Sequence, residues 1–238
     1  MADVTAAAEV RLWGQVVGGV VELDSGQIVF EYDSTFRRSG LEISPLKLPL
    51  SLRRPVQFAE LRDKEAFRGL PGVLADALPD AFGRSVTRAY YTSRGEVERA
   101  LSPVQHLLYV GDRALGALTF FPAEQLPARP AEAEALEVAQ LVADARRIVQ
   151  GEAEVTIPEI FRIGSSAGGM RPKAIVLHNA ATDEVRSAFA DPRAGDVPAI
   201  LKFDGVGPGK TTSGLGPPRP FNRIEAAYAE MAKEAGLD

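Results

Sequence analysis

The chain has no cysteine and only two histidines, His106 and His178, in 238 residues. A disulfide framework and a thiolate metal site are thereby excluded. A multi-histidine metal site is disfavoured too, as is a Ser-His-Asp nucleophile without stronger local signals. No apolar run approaches the length that spans a bilayer. The first residues, Met-Ala-Asp-Val-Thr-Ala-Ala-Ala-Glu, have no basic start and no long apolar stretch, so they do not read as a secretory signal. Positive charge is not in excess either. The formal net charge is −5, which argues against a broad nucleic-acid footprint. A cytoplasmic protein without membrane association is the expectation. What remains is an ordinary globular balance, 45% apolar and 25% charged. The length suits one large domain or two small ones.

Val10 to Trp13, Val16 to Leu23 and Ile28 to Tyr32 are short runs rich in β-branched and aromatic residues, parted by Gly14-Gln15 and Asp24-Ser25-Gly26-Gln27. They predict an antiparallel meander. From Gly40 to Pro55 leucines nearly alternate, but Pro45 and Pro49 interrupt them, which predicts an edge strand or an extended loop. Pro79-Asp80 opens a helix carrying Phe82, Val86 and Ala89. Ser102-Pro103 opens another, with Ser as N-cap and Pro at the first helical position. A strand over Leu115 to Phe121 completes a compact α+β unit, residues 1–122.

Pro122 to Glu134 is rich in Ala, Pro and Glu and reads as a linker. Val138, Leu141, Val142, Ala145 and Ile148 then share one helix face. Linker and helix occupy residues 123–155. The last region, 156–238, holds a strand from Val197 to Phe203 and a Gly/Pro-rich stretch from Asp204 to Pro220. It closes on a helix from Asn222 to Ala235, with Gly236 as C-cap. Ile224, Ala227, Tyr228, Met231 and Ala235 share a face of that helix.

The region is organised around Ile157 to Leu177. Phe161 and Ile163 alternate with polar neighbours, Gly164 to Pro172 is small and glycine-bearing, and Ala174 to Leu177 is an apolar run. The pattern reads as strand, loop, strand. Such a loop can turn successive N–H groups toward an anion, phosphate above all; it can equally be a hairpin loop that needs glycine for its turn. Gly209-Lys210-Thr211 is not a P-loop, because Asp204 stands where the upstream glycine is required and a Gly/Pro-rich stretch follows where a helix is required. Lys202 interrupts an apolar strand. It reads either as a solvent-facing lysine on a half-covered sheet or as a lysine fixed beside nucleotide phosphates. Glu225 reads either as the partner of Asn222 in a capping box or as the partner of Lys202. The order glycine loop, strand lysine, helix glutamate is the order used by protein kinases. Ser165 is either an ordinary loop hydroxyl or a phosphorylation target, whose added charge would disfavour nucleotide binding.

Several segments together resemble the HipA-like family of serine/threonine kinases, toxins of toxin–antitoxin pairs. Trp13-Gly14 and Pro45-Leu46-Lys47-Leu48-Pro49-Leu50 are similar to its N-terminal subdomain. Gly69 to Arg84 is close to the family's most recognisable signature, and Tyr109 to Arg113 with Gly116-Ala117-Leu118 resembles a second. Ser165 to Ala174 resembles the family's phosphate-binding loop, Ile200 to Phe203 its ATP-lysine strand, and Glu225 to Tyr228 the helix that supplies the glutamate.

The resemblance implies a small antiparallel β subdomain with helices, followed by the incomplete N-lobe of a protein-kinase-like fold. It implies ATP binding through Ser166, Ala167, Gly168, Gly169, Lys173, Lys202 and Glu225, with Mg²⁺ as co-ligand and Ser165 as the autophosphorylated serine. It implies a protein substrate, with aminoacyl-tRNA synthetases as one class. The implied inhibitor is a helix-turn-helix antitoxin of the HipB type, through which DNA would be reached indirectly. One departure matters. No His-Arg-Asp-like or Asp-Phe-Gly-like segment occurs in the chain, so the catalytic aspartate and the metal-binding residues of a kinase are absent. The expectation is an N-terminal half, inactive alone, whose C-terminal kinase lobe is missing. The alternative is a non-catalytic binding module that associates with, or restrains, a separately encoded lobe.

Overall fold

The computed structural model describes residues 3–96, 101–124, 126, 135–156, 159–164, 171–204 and 221–237. In chain order the elements begin with strands β1 (Val4–Leu12), β2 (Gln15–Leu23), β3 (Ile28–Tyr32) and β4 (Val56–Gln57). Helices α1 (Gly72–Ala75), α2 (Ala81–Ser93) and α3 (Pro103–Val110) precede strand β5 (Leu118–Phe121). Helices α4 (Val138–Gln150) and α5 (Ile160–Ile163), strands β6 (Lys173–Asn179), β7 (Glu184–Ser187) and β8 (Asp196–Lys202), and helix α6 (Phe221–Glu234) follow. The fold is α+β, in two units: Met1–Pro79 with Arg99–Gln125, and Asp80–Glu98 with Leu126–Asp238.

In the first unit an antiparallel sheet has the order β4-β3-β2-β1-β5. The three predicted strands form its centre as a meander. Trp13 at φ 49° and Gly14 at φ 81° make the β1–β2 turn, matching the two positive-φ positions that tight hairpins require. Alternation decides which face is covered in β1 and β3, while a register shift at Val17 against β1 breaks it in β2. Ala6, Ala8, Val10 and Leu12 of β1 are buried, as are Val17 and Val20 of β2 and Phe30 and Tyr32 of β3. Leu74 of α1 and Val104 and Leu107 of α3 complete this core. Each such valine, leucine or phenylalanine side chain contributes about 1.5–3 kcal/mol when fully buried. Gly18 is required by proximity, since a Cβ there would overlap the carbonyl oxygen of Glu31 on β3.

Of the two expectations for residues 40–55, the loop is found. Turns replace any strand, and the sheet edge is the two-residue β4. Pro45 and Pro49 withhold the donors a ladder needs. Tyr32 holds the segment by donating its hydroxyl to the Leu48 carbonyl at 2.6 Å. Burial, with Glu42 adding to it, pushes the Tyr32 phenol up to about 12. Asp33 accepts the N–H groups of Thr35 and Phe36 at 2.7 and 3.0 Å, and the Phe36 bond foremost holds its carboxyl below the usual aspartate range. The Ser102 cap is present as a full capping box with Gln105.

The second unit is built differently. Its helices α2, α4 and α5 pack through Phe82, Val86 and Tyr90, through Leu141, Ala145 and Ile148, and through Ile160, Phe161 and Ile163, all buried. Tyr90 and Phe161 meet edge to face at 5.6 Å. The expected strand through Phe161 and Ile163 is not formed; those residues make the helical turn α5. Ile160 and Ile163 are one turn apart and buried together, a spacing that a strand would split between opposite faces. Gly164 ends the turn, with no room for a side chain against the Ile160 carbonyl and the Phe82 ring.

The sheet of this unit has the order β7-β6-β8, all antiparallel. Central β6 is buried along nearly its whole length and on alternate side chains of both faces, as strands covered on two sides are. Buried polar groups fix the surroundings. Asp144 accepts the Thr156 N–H at 3.0 Å, Ser187 donates its hydroxyl to Glu159, and Arg186 pairs with Asp196.

Candidate functional site

Antiparallel pairing of β6 with β8 sets Lys173 opposite Lys202, and the Phe203 N–H donates to the Pro172 carbonyl at 2.9 Å. The C-terminal base of the glycine loop therefore lies beside the end of β8. Helix α6 begins at the same place. The Asp204 carboxylate accepts the Asn222 N–H at 3.2 Å, satisfying one of the donors a helix start leaves free. Asn222 lies inside α6 and donates its side-chain amide to the Lys202 carbonyl at 2.9 Å. The capping-box reading of Asn222 with Glu225 is thereby corrected, because Asn222's amide joins α6 to β8 while Asp204 meets the helix start.

Glu225, one turn into α6, is then free for Lys202. Lys202 Nζ stands 2.7 Å from Glu225 Oε2. The other oxygen, Oε1, is 2.8 Å from Nη2 of Arg171. Both partners of the lysine–glutamate pair are about half exposed, 42% and 47%. The Lys202 hydrogen bond foremost, with the Arg171 and Lys202 charges behind it, holds the Glu225 carboxyl below its ordinary value. Arg171 also donates to Asn222 Oδ1 at 3.2 Å and lies over the Phe221 ring at 4.5 Å.

Lys173 takes a different partner. Its Nζ is 2.8 Å from Asp80 Oδ2, with the two side chains only 6% and 9% exposed. Asp80 Oδ1 meanwhile accepts the Gly83 N–H at 2.7 Å as the N-cap of α2. Ser165, Ser166, Ala167, Gly168 and Gly169 lie outside the described residues, as does Gly209-Lys210-Thr211. Among the described residues no group of three or more His, Cys, Asp or Glu could hold a metal ion. No helix among them is long and apolar enough to cross a membrane.

The site as built includes residues that the sequence reading did not single out for it: Arg171, Asp204 and Asn222. Arg171 had one available signal, an arginine directly after a glycine loop. Two other surfaces stand out. The outer face of the five-stranded sheet forms an open depression of about 940 Å³ floored by Ala7, Gly19, Val21 and Val29; its Glu9 and Glu31 are engaged by Arg11 and Arg37. In the second unit Ile224, Tyr228 and Met231 of α6 are exposed, as are Val197 and Ile200 of β8.

Residues 8–121 match the family model of the HipA N-terminal domain. No curated protein matches the chain.

Proposed function

Given that residues 8–121 match the HipA N-terminal domain, we propose that the chain is a HipA-like protein, the nucleotide-binding portion of a serine/threonine protein kinase toxin. The observation that carries this reading is the Lys202–Glu225 pair at 2.7 Å. A strand lysine held by a helix glutamate presents a fixed ammonium to nucleotide phosphates. In this reading Lys202 binds the phosphates and Glu225 orients Lys202. The glycine loop Ser166 to Gly169 covers the phosphates, and Ser165 is the phosphorylated serine. ATP with Mg²⁺ supplies the transferable phosphoryl group. The chain lacks a recognisable catalytic aspartate, so transfer is assigned to a further lobe, whether joined or separate. The partners are then that lobe, a protein substrate and a DNA-binding antitoxin of the HipB type, in a cytoplasmic setting.

Titrating the chain with Mg²⁺–ATP by calorimetry, beside K202A and E225A, tests this. Saturable binding is expected, weakened about tenfold or more by K202A, as the loss of a charge-assisted hydrogen bond would give. Absence of binding, or an unchanged Kd in K202A, would overturn it. The exposed Ile224, Tyr228 and Met231 of α6 favour a second reading, a non-catalytic module that associates with a separately encoded lobe. Capture of a purified kinase-lobe polypeptide without ATP binding by this chain is the outcome that selects it.

A further inference from the structure

We propose that Arg171 is the positioning residue for Glu225. The inference deepens the nucleotide-site reading and rests on it for the consequence at ATP. A carboxylate held by one ammonium can turn about its terminal torsion, which is broad for glutamate. Here the two oxygens are held from two elements, Oε2 by Lys202 on β8 and Oε1 by Arg171 beside the glycine loop. That fixes the carboxylate plane, and with it the direction from which Lys202 is drawn.

Arg171 is itself held. Its second nitrogen donates to Asn222 Oδ1, its guanidinium lies over Phe221, and Asn222 returns a bond to the Lys202 carbonyl. The contacts close into a ring through Arg171, Glu225, Lys202 and Asn222. Isolated surface ion pairs contribute little, but networks with a planar, stacked guanidinium are the exception. The Arg171 side chain is also the least exposed of the three charges, at 23%. Two cations then share one carboxylate, so Glu225 does not fully neutralise Lys202. Asp204 is the further charged group at this helix start, engaged by the Asn222 N–H.

The test uses the intact chain and two readouts, the Glu225 side-chain titration followed by NMR and the Mg²⁺–ATP affinity, in R171M, R171K and K202M. R171M is expected to raise the Glu225 pKa part-way toward the ordinary glutamate value, by less than K202M does. It is also expected to weaken ATP binding about two- to fivefold, the range of an exposed pair. R171K should recover part of both. If R171M lowers only the melting temperature, with the Glu225 titration unmoved, Arg171 is merely structural and the proposal fails. R171K decides the same question should R171M not fold. A moved Glu225 titration in a chain that binds no ATP would sustain the positioning role while ending the nucleotide reading. ATP binding that K202M abolishes and R171M leaves unchanged, with the titration also unmoved, would do the reverse.

Discussion

The two units are stabilised by different physics. In the first, the sheet lays Val10, Val17, Val20, Phe30 and Phe120 against Leu70, Leu74, Val104 and Leu107 in an apolar cluster, and two polar side chains of the unit, His106 and Arg113, are buried among the described residues. In the second, Arg186, Asp144, Glu159, Lys173, Asn179 and Ser187 are buried beside the aliphatic residues. Apolar burial is non-directional and scales with area. Buried ion pairs are costly to desolvate and hold only in a narrow geometry. The first unit can therefore shift side chains with graded loss. The second is built so that particular strands and turns meet at particular atoms, and this is the unit in which Lys202 and Glu225 are brought together.

The contrast can be broken by mutation. R186M should have the largest effect, about 3–5 kcal/mol, because it leaves Asp196 buried without its guanidinium partner; the two side chains are 2% and 3% exposed. Urea denaturation with amide exchange on β6 and β7 measures it. The double variant R186M/D196L should recover most of the loss. A cost below about 1 kcal/mol for R186M would erase the distinction. L74A in the first unit should cost about 2–5 kcal/mol, read from the same denaturation.

Y32F is the smallest change. It removes the bond to the Leu48 carbonyl and should cost about 1–3 kcal/mol. It also carries a pH signature. The folded phenol titrates near 12 rather than 10, so the fold favours its protonated form. That contribution is complete below pH 10 and is lost as pH rises from 10 to about 12. Wild type should therefore lose stability across that window and Y32F should not show that loss. Equal alkaline limbs in both proteins would show that the buried hydroxyl does not sense its surroundings.

Local chemistry explains what could be read in advance. The meander follows from β-branched runs parted by turn residues, and the starts of α2 and α3 follow from Asp80 and Ser102 acting as caps. The order of elements offers Lys202 as one of two partners for Glu225, and the ion pair is the contact found. The turn α5 was not foreseen, because Phe161 and Ile163 satisfy a period of two while Ile160 and Ile163 satisfy a helix, and only packing separates them. Strand β7 gave no signal: Glu184-Val185-Arg186-Ser187 has one apolar residue, and its burial is made possible by partners outside the strand, Asp196 for Arg186 and Glu159 for Ser187. Arg171 and Asn222 escaped for the same reason, since their roles exist only once the loop base, β8 and α6 converge.

The carboxylate of Asp80 has a consequence for the sequences this fold can tolerate. One oxygen caps α2 and the other meets the Lys173 ammonium. Asparagine or serine would serve as a cap nearly as well, but either would set a neutral group against a buried cation. Glutamate would keep the charge but lengthen the reach, moving it away from the cap. Two demands that most positions meet separately, one on shape and one on charge, intersect here in a single residue type. A substitution that reads as conservative at a helix start is therefore not conservative at position 80, and only a paired change at 173 opens a route through sequence space.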